Sequence, residues 1–274
     1  MKGSMGMAIL CLERNEWTLK KIAFFDIDGT LLDQNKQLPN LTKKALSKLK
    51  ENGVFVAIAT GRAPFMFENL REELDIDSYV SFNGQYVVFE NKVIYKNPLN
   101  IKELENLYNY SLERNHPMVF MDEGVMKASV ANDEYIDLCI KSLKFPYPSV
   151  DENYYKHKEV YQSLIFCEEQ YDELYEMNFP NSRFVRWHRF STDVLPAGGS
   201  KAEGIKLMAE HLGFQMENVY AFGDGLNDIE MLQTVGTGVA MGNASEQVKM
   251  AADVTTTSID EDGIWNALKK LELI

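Results

Sequence analysis

Ile22-Ala23-Phe24-Phe25-Asp26-Ile27-Asp28-Gly29-Thr30 is the stretch whose reading decides the fold. Four apolar residues closed by a glycine turn are too few for a helix and fit a strand buried on both faces of a parallel sheet. Open α/β sheets bind ligands beyond the carboxyl ends of such strands, where Asp26 and Asp28 stand. Residues two apart in extended chain point the same way, so both carboxylates can address one site. Paired carboxylates raise each other's pKa unless a cation intervenes, which implies a divalent metal before any reaction is named.

Outward from this strand, short apolar runs alternate with helical patterns. Thr42 to Glu51 places Ala45, Leu46 and Leu49 on one helical face, with Gly53 at its stop. Val54 to Ala59 is a second buried strand ending at Thr60-Gly61-Arg62, and Tyr79 to Phe82 is a third, ending at Asn83-Gly84. A βαβαβ series predicts a doubly wound, Rossmann-like parallel sheet. Beyond Gly84 the rhythm changes to hairpins interleaved with helices: 86–95, 118–128, and strands at 160–166 and 184–190 around a helix at 171–177. This predicts an inserted α+β domain with an antiparallel sheet. From Ser200 the α/β rhythm returns. The expected boundaries are a leader over 1–19 without regular structure, a core over 20–84 and 191–274, and an insertion over 85–190. Asn83-Gly84 and Ala197-Gly198-Gly199 are the expected hinges.

Composition narrows the class. The 274 residues suit two compact domains. A net charge of −13 argues against a nucleic-acid or anionic-membrane partner, because binding a polyanion needs a basic face. No apolar run approaches the ~20 residues of a membrane span. Cys11, Cys139 and Cys167 are widely spaced and odd in number, which favours reduced thiols in a cytoplasm over a disulfide framework or zinc site.

The chemistry-bearing residues lie at strand and helix ends. Asp26 is placed as a nucleophile, and Asp28 as the group that protonates a leaving oxygen and then deprotonates water. The Thr60 hydroxyl and the Gly61 amide suit a phosphoryl oxygen, although a Thr-Gly pair is often only a turn. Ser200-x-x-Glu203 reads as a capping box opening a helix to Leu212, with Gly213 at its stop. Lys201 in its first turn opposes the usual charge preference of a helix start, which points to an anionic partner. Gly223-Asp224-Gly225-Leu226-Asn227-Asp228 follows the apolar run Val219 to Phe222. Asp224 and Asp228 suit an all-oxygen magnesium site, and Asn227 a phosphate contact. Asp228 is equally a helix N-cap.

Together these motifs resemble the haloacid dehalogenase-like phosphatases, in the Cof-type branch with a large inserted α/β cap. The resemblance runs from Lys20 to the C-terminus and includes Val239 to Ala244 and Glu261 to Ile264 as closing segments. It implies hydrolysis of a small phosphorylated metabolite with Mg2+ as cofactor. By the same resemblance, Asp26 is nucleophile and first metal ligand. Asp28 is acid and base, with its backbone carbonyl also on magnesium. Asp224 is the second carboxylate ligand, with Asp228 beside it. Thr60, Lys201 and Asn227 hold the phosphoryl group.

Substrate choice is expected to lie in the insertion. Arg183 to Arg189 alternates with period two, so Arg186 and His188 share one face, as substrate contacts or as a solvated face opposite the Trp187 side. His116, His157 and His211 lack metal-ligand spacing. Two rival readings are a phosphotransferase or mutase on the same core, and a non-catalytic phospho-binding protein.

Overall fold

The computed structural model describes residues 20–274; the expected leader lies outside the described residues. Thirteen strands occur among them: β1 (Ile22–Phe25), β2 (Phe55–Ala59), β3 (Tyr79–Ser81), β4 (Tyr86–Phe89), β5 (Lys92–Lys96), β6 (Met118–Met121), β7 (Met126–Ala128), β8 (Gln162–Ile165), β9 (Ser182–His188), β10 (Ser191–Pro196), β11 (Val219–Gly223), β12 (Thr237–Ala240) and β13 (Val254–Thr255). The chain divides into a core unit of residues 20–61, 68–95 and 200–274 and an inserted unit of 62–67 and 96–199. No helix among the described residues is long and apolar enough to cross a membrane.

The core unit is an eight-stranded sheet in the order β13-β12-β11-β1-β2-β3-β4-β5. Strands β13 through β3 are parallel, and β4 runs antiparallel to β3. The chain leaves β1 toward β2 and later returns to β11 on the opposite side of β1. The strand order therefore reverses between β1 and β11, the place where such sheets bind ligands. Ile22, Phe24, Ala57 and Val80 on one face pack against Ala202, Ile205 and Met208 of the helix Lys201–Leu212. Helices Asn40–Glu51 and Gly263–Lys270 pack against each other. Phe25 and Phe222 stack across β1 and β11 at 4.6 Å. Both are fully buried, each worth about 1.5–3 kcal/mol in apolar burial. This anchors the two strand ends that carry the acidic residues.

Two expected boundaries move. The hairpin 86–95 extends the core sheet as β4 and β5 instead of opening the insertion. Val87 and Phe89 are buried with Val80 and Ile205 in the core cluster, and that burial outweighs the change of rhythm in the sequence. At the return, Ser191–Pro196 is not core. It is β10, hydrogen-bonded on both sides within the inserted sheet, so the core resumes at Ser200.

The inserted unit is a five-stranded antiparallel sheet, β7-β6-β8-β10-β9. Leu104, Leu107 and Tyr108 of the helix Ile101–Leu112 and Tyr175 of the helix Asp172–Asn178 pack on Met118, Phe120, Ile165 and Val194. His116 is part of this interior and meets the Tyr175 hydroxyl at 2.8 Å.

One buried acid has a stability consequence. Burial pushes the Asp193 carboxyl on β10 up to about 8, with Gln162 and Trp187 acting against that rise. Against an ordinary value of 3.8, the folded state binds a proton that the unfolded chain releases. The stabilisation is complete below the unfolded value and is lost as pH climbs through the folded one. Asp193→Asn should therefore gain Tm relative to wild type progressively from about pH 5 to about pH 8. A Tm difference that does not change with pH would contradict this.

Candidate active site

The site is assembled at the carboxyl ends of β1 and β11. The Asp26 N–H donates to the Phe222 carbonyl at 3.0 Å, continuing the β1–β11 pairing by one residue. The chain then turns. The Leu31 N–H donates to the Asp26 carbonyl at 3.2 Å, and the Gly29 N–H to the Leu32 carbonyl at 2.8 Å. Gly29 has φ +85°, and a Cβ there would collide with the Asp224 carboxylate. Only glycine combines that conformation with so close an approach.

Lys201 is the hub. Its ammonium is 1% exposed and donates to Asp26 Oδ1 at 2.6 Å and to Asp228 Oδ1 at 2.7 Å. The helix start that places it is capped as its sequence suggests on one side only. Ser200 Oγ accepts from the Glu203 N–H at 3.2 Å, while Glu203 Oε1 accepts from Lys206 instead. Gly213 ends this helix at φ +76°. Asp228 is fully buried: besides Lys201, it accepts the Asp224 and Gly225 N–H groups at 3.0 and 2.8 Å. It stands at the N-cap position of the helix Ile229–Thr234, but its side chain makes no cap hydrogen bond there and ties down the loop that carries Asp224 instead.

Asp26, Asp224 and Asp228 each offer a carboxylate oxygen within 4.8 Å of the others. Burial, with Asp228 and Asp28 adding to it and Lys201 opposing, pushes Asp26 up to about 7. Burial also raises Asp224 to about 6, against the Thr30 hydrogen bond and with help from Asp228. Burial alone would lower the Lys201 ammonium, but the attraction of Asp228 and Asp26 outweighs it and the group stays charged. Three carboxylates around one ammonium leave an excess of negative charge. An all-oxygen cluster of that kind fits a hard divalent cation such as magnesium.

Asp28 departs from the two-apart expectation. β1 stops at Phe25, and beyond Asp26 the chain turns at Ile27 and Gly29, with Asp28 in an isolated bridge to Leu32, so the two carboxylates do not lie on one extended strand. The Asp28 carboxylate pairs with Lys36 and is not one of the clustered acids. Thr60 is buried at the end of β2, and its carbonyl accepts from the Asn83 N–H at 3.1 Å. Asn227 is exposed and donates to Asn83 Oδ1 at 3.4 Å.

Asn243 belongs to this site and was not singled out from the sequence. It donates to the Gly29 carbonyl at 2.9 Å and to Asp224 Oδ2 at 3.2 Å, while its own oxygen accepts from the Ile259 N–H at 3.1 Å. With Thr30 Oγ1 on Asp224 Oδ1 at 3.0 Å, both oxygens of Asp224 are oriented. The only signal for Asn243 was its place in a closing segment of the resemblance.

Arg186 is engaged by protein partners. Its Nε and Nη2 donate to the Asp172 carboxylate, and Nη1 meets the carbonyls of Cys167, His188 and Arg189, each at 3.1 Å. These partners give Arg186 a structural pairing within the inserted unit. His188 Nδ1 accepts the Phe190 N–H at 3.2 Å and faces Cys139 Sγ at 3.0 Å. Burial pushes that thiol up to about 12, so it is the donor of the pair. The alternation that linked Arg186 to His188 also breaks, because the register shifts at Ser191/Thr192 and leaves Trp187 bulged. Arg186→Met should cost about 1–3 kcal/mol of stability in denaturant melts. It should leave the ratio of kcat/KM between a sugar phosphate and p-nitrophenyl phosphate unchanged; a changed ratio would restore the specificity role.

The chain is similar to known proteins over most of its length. Residues 23–268 match the family model described as haloacid dehalogenase-like hydrolase. YkrA of Bacillus subtilis, which is named a phosphatase by inference, is 50% identical over 93% of this chain and 98% of its own length. A crystal structure of a hypothetical protein from Geobacillus kaustophilus is 59% identical, with a TM-score of 0.90 over 93% of this chain and 100% of that one. The subclass IIB sugar phosphatase BT4131 is 33% identical, with a TM-score of 0.81 over 93% of this chain and 100% of that one. The chain belongs to the haloacid dehalogenase-like hydrolases, among their phosphatases.

Proposed function

We propose that this phosphatase hydrolyses small phosphate monoesters, sugar phosphates or similar phosphometabolites, with magnesium and through a phosphoryl group carried on Asp26. The observation that supports the reading most is the Lys201 ammonium bridging Asp26 and Asp228 beside Asp224. An Asp26 oxygen attacks phosphorus. The P–O bond to the leaving alcohol breaks, and Asp28 gives that oxygen its proton. Asp28 then takes a proton from water, whose oxygen attacks phosphorus and releases Asp26 with its electron pair. Thr60, Gly61, Lys201 and Asn227 hold the phosphoryl oxygens through both halves. This suits a reaction whose cost is mostly positioning and charge.

Asp26, Asp224, Asp228 and the Asp28 carbonyl would hold the metal, which when bound supplies charge neutralisation at the phosphoryl oxygens. Sugar phosphates are the favoured substrates because of the likeness to BT4131. A cytoplasmic setting fits the free thiols of Cys139 and Cys167. The test is a phosphometabolite panel assayed for free phosphate, with magnesium and with chelator. Sugar phosphates hydrolysed without an added acceptor, in magnesium only, is the expected result. Phosphate release that requires an acceptor, or that survives chelation, would contradict it.

A further inference from the structure

Between β3 and β4 the backbone runs left-handed for three residues in succession: Phe82 at φ +51°, Asn83 at +51° and Gly84 at +98°. Asn-Gly in such a turn is ordinary, but a bulky aromatic residue there is a steric outlier. Strain of this kind persists where the surroundings over-determine it, and it concentrates at functional sites. Here the surroundings are visible. The Phe82 ring is fully buried, and the Asn83 N–H is held by the Thr60 carbonyl. Gly84 lies so close to the Ser200 carbonyl, one residue before Lys201, that a Cβ would collide with it.

What the turn delivers is the Asn83 side chain. It is 7% exposed and lies against the Gly61 backbone, where a Cβ on Gly61 would come within 3.0 Å of Nδ2 and 3.1 Å of Oδ1. Its Oδ1 accepts from Asn227 Nδ2. Turn chemistry accounts for the backbone of Asn83 but not for a buried carboxamide that joins the end of β2 to the loop after β11.

We propose that Asn83 is a positioning residue of the phosphate cradle: its carboxamide packs on Thr60-Gly61 and fixes Asn227, leaving the second N–H of Asn227 to meet a phosphoryl oxygen. This rests on the reading of Thr60, Gly61 and Asn227 as phosphate ligands. It adds a residue to that set and a reason for the strained turn.

The test uses competitive inhibition by inorganic phosphate together with KM for p-nitrophenyl phosphate. Asn83→Gly keeps the left-handed turn without strain and removes only the side chain. It should melt no lower than wild type yet raise both constants about tenfold. Asn83→Asp, of the same shape, should raise the phosphate inhibition constant further, because a carboxylate then borders the anion. Asn227→Ala should match Asn83→Gly, and the double variant should be no worse than Asn227→Ala alone to within about twofold. Phosphate affinity unchanged in Asn83→Gly or Asn83→Asp would overturn the proposal, and so would losses that multiply in the double variant. Asp26→Asn, run alongside, separates this outcome from failure of the reaction itself.

Discussion

Asp26→Asn is expected to lose turnover by a factor on the order of 10⁴ or more while melting at or above the wild-type temperature. The two halves of that result have different causes. Amide nitrogen and oxygen cannot replace the attacking carboxylate oxygen, so the chemistry stops. The fold does not suffer, because burial already drives the Asp26 carboxyl up to about 7, which means that its charge is costly where it stands. A neutral residue of the same shape removes that cost, and Lys201 retains Asp228 as a partner at 2.7 Å. Kinetics with p-nitrophenyl phosphate and a thermal melt on one preparation check both halves. A variant that still turns over, or one that is inactive because it is unfolded, would break the account at different points.

Lys201→Met should have the second largest effect and the opposite signature. Its ammonium is within hydrogen-bonding reach of both Asp26 and Asp228, and all three groups are buried. Removing one member of such a network leaves uncompensated buried charge, at a cost of about 3–5 kcal/mol. Tm should therefore fall in chelator. Magnesium should raise the melting temperature of the variant more than that of wild type, because a cation bound to the folded state offsets the missing ammonium. Activity should stay low even in magnesium, since a phosphoryl contact is also gone. Equal Tm for variant and wild type in chelator would show that Lys201 does not hold the acidic cluster together.

Most of this site was legible because its parts sit at element ends that local sequence rules mark well. Apolar runs ending in Asp26, Thr60 and Asp224 identify buried parallel strands, and Ser200 with Gly213 brackets the helix Lys201–Leu212 at both ends. What escaped depends on distance in the chain. Asn243 acts on Gly29 and Asp224 from far along the sequence, and nothing in its own segment distinguishes it from a turn residue. Asn83 reads locally as a hinge, and its contacts with Gly61 and Asn227 come from distant segments that its own stretch does not encode. The hairpin β4–β5 joins the core sheet against the sequence expectation, because periodicity reports which face of a strand is apolar, not which sheet it joins. The surroundings of Arg186 are hidden for a related reason. Alternation predicts a shared face, but the bulge near Trp187 breaks it, and Asp172 lies on a helix whose approach the strand sequence does not encode.

The central claim is that Asp26 carries the phosphoryl group, and chemical trapping tests it most directly. Wild-type protein is quenched with borohydride during a pre-steady-state burst of p-nitrophenol, so that an acyl phosphate is reduced to the alcohol, and the peptide spanning β1 and Thr30 is sequenced by mass spectrometry. The account predicts homoserine in place of Asp26 and unchanged Asp28 in that peptide, and unchanged Asp224 and Asp228 in the peptide spanning β11 and Asp228, sequenced alongside. A burst with Asp26 unmodified, or with the reduced residue at any other position, would contradict it.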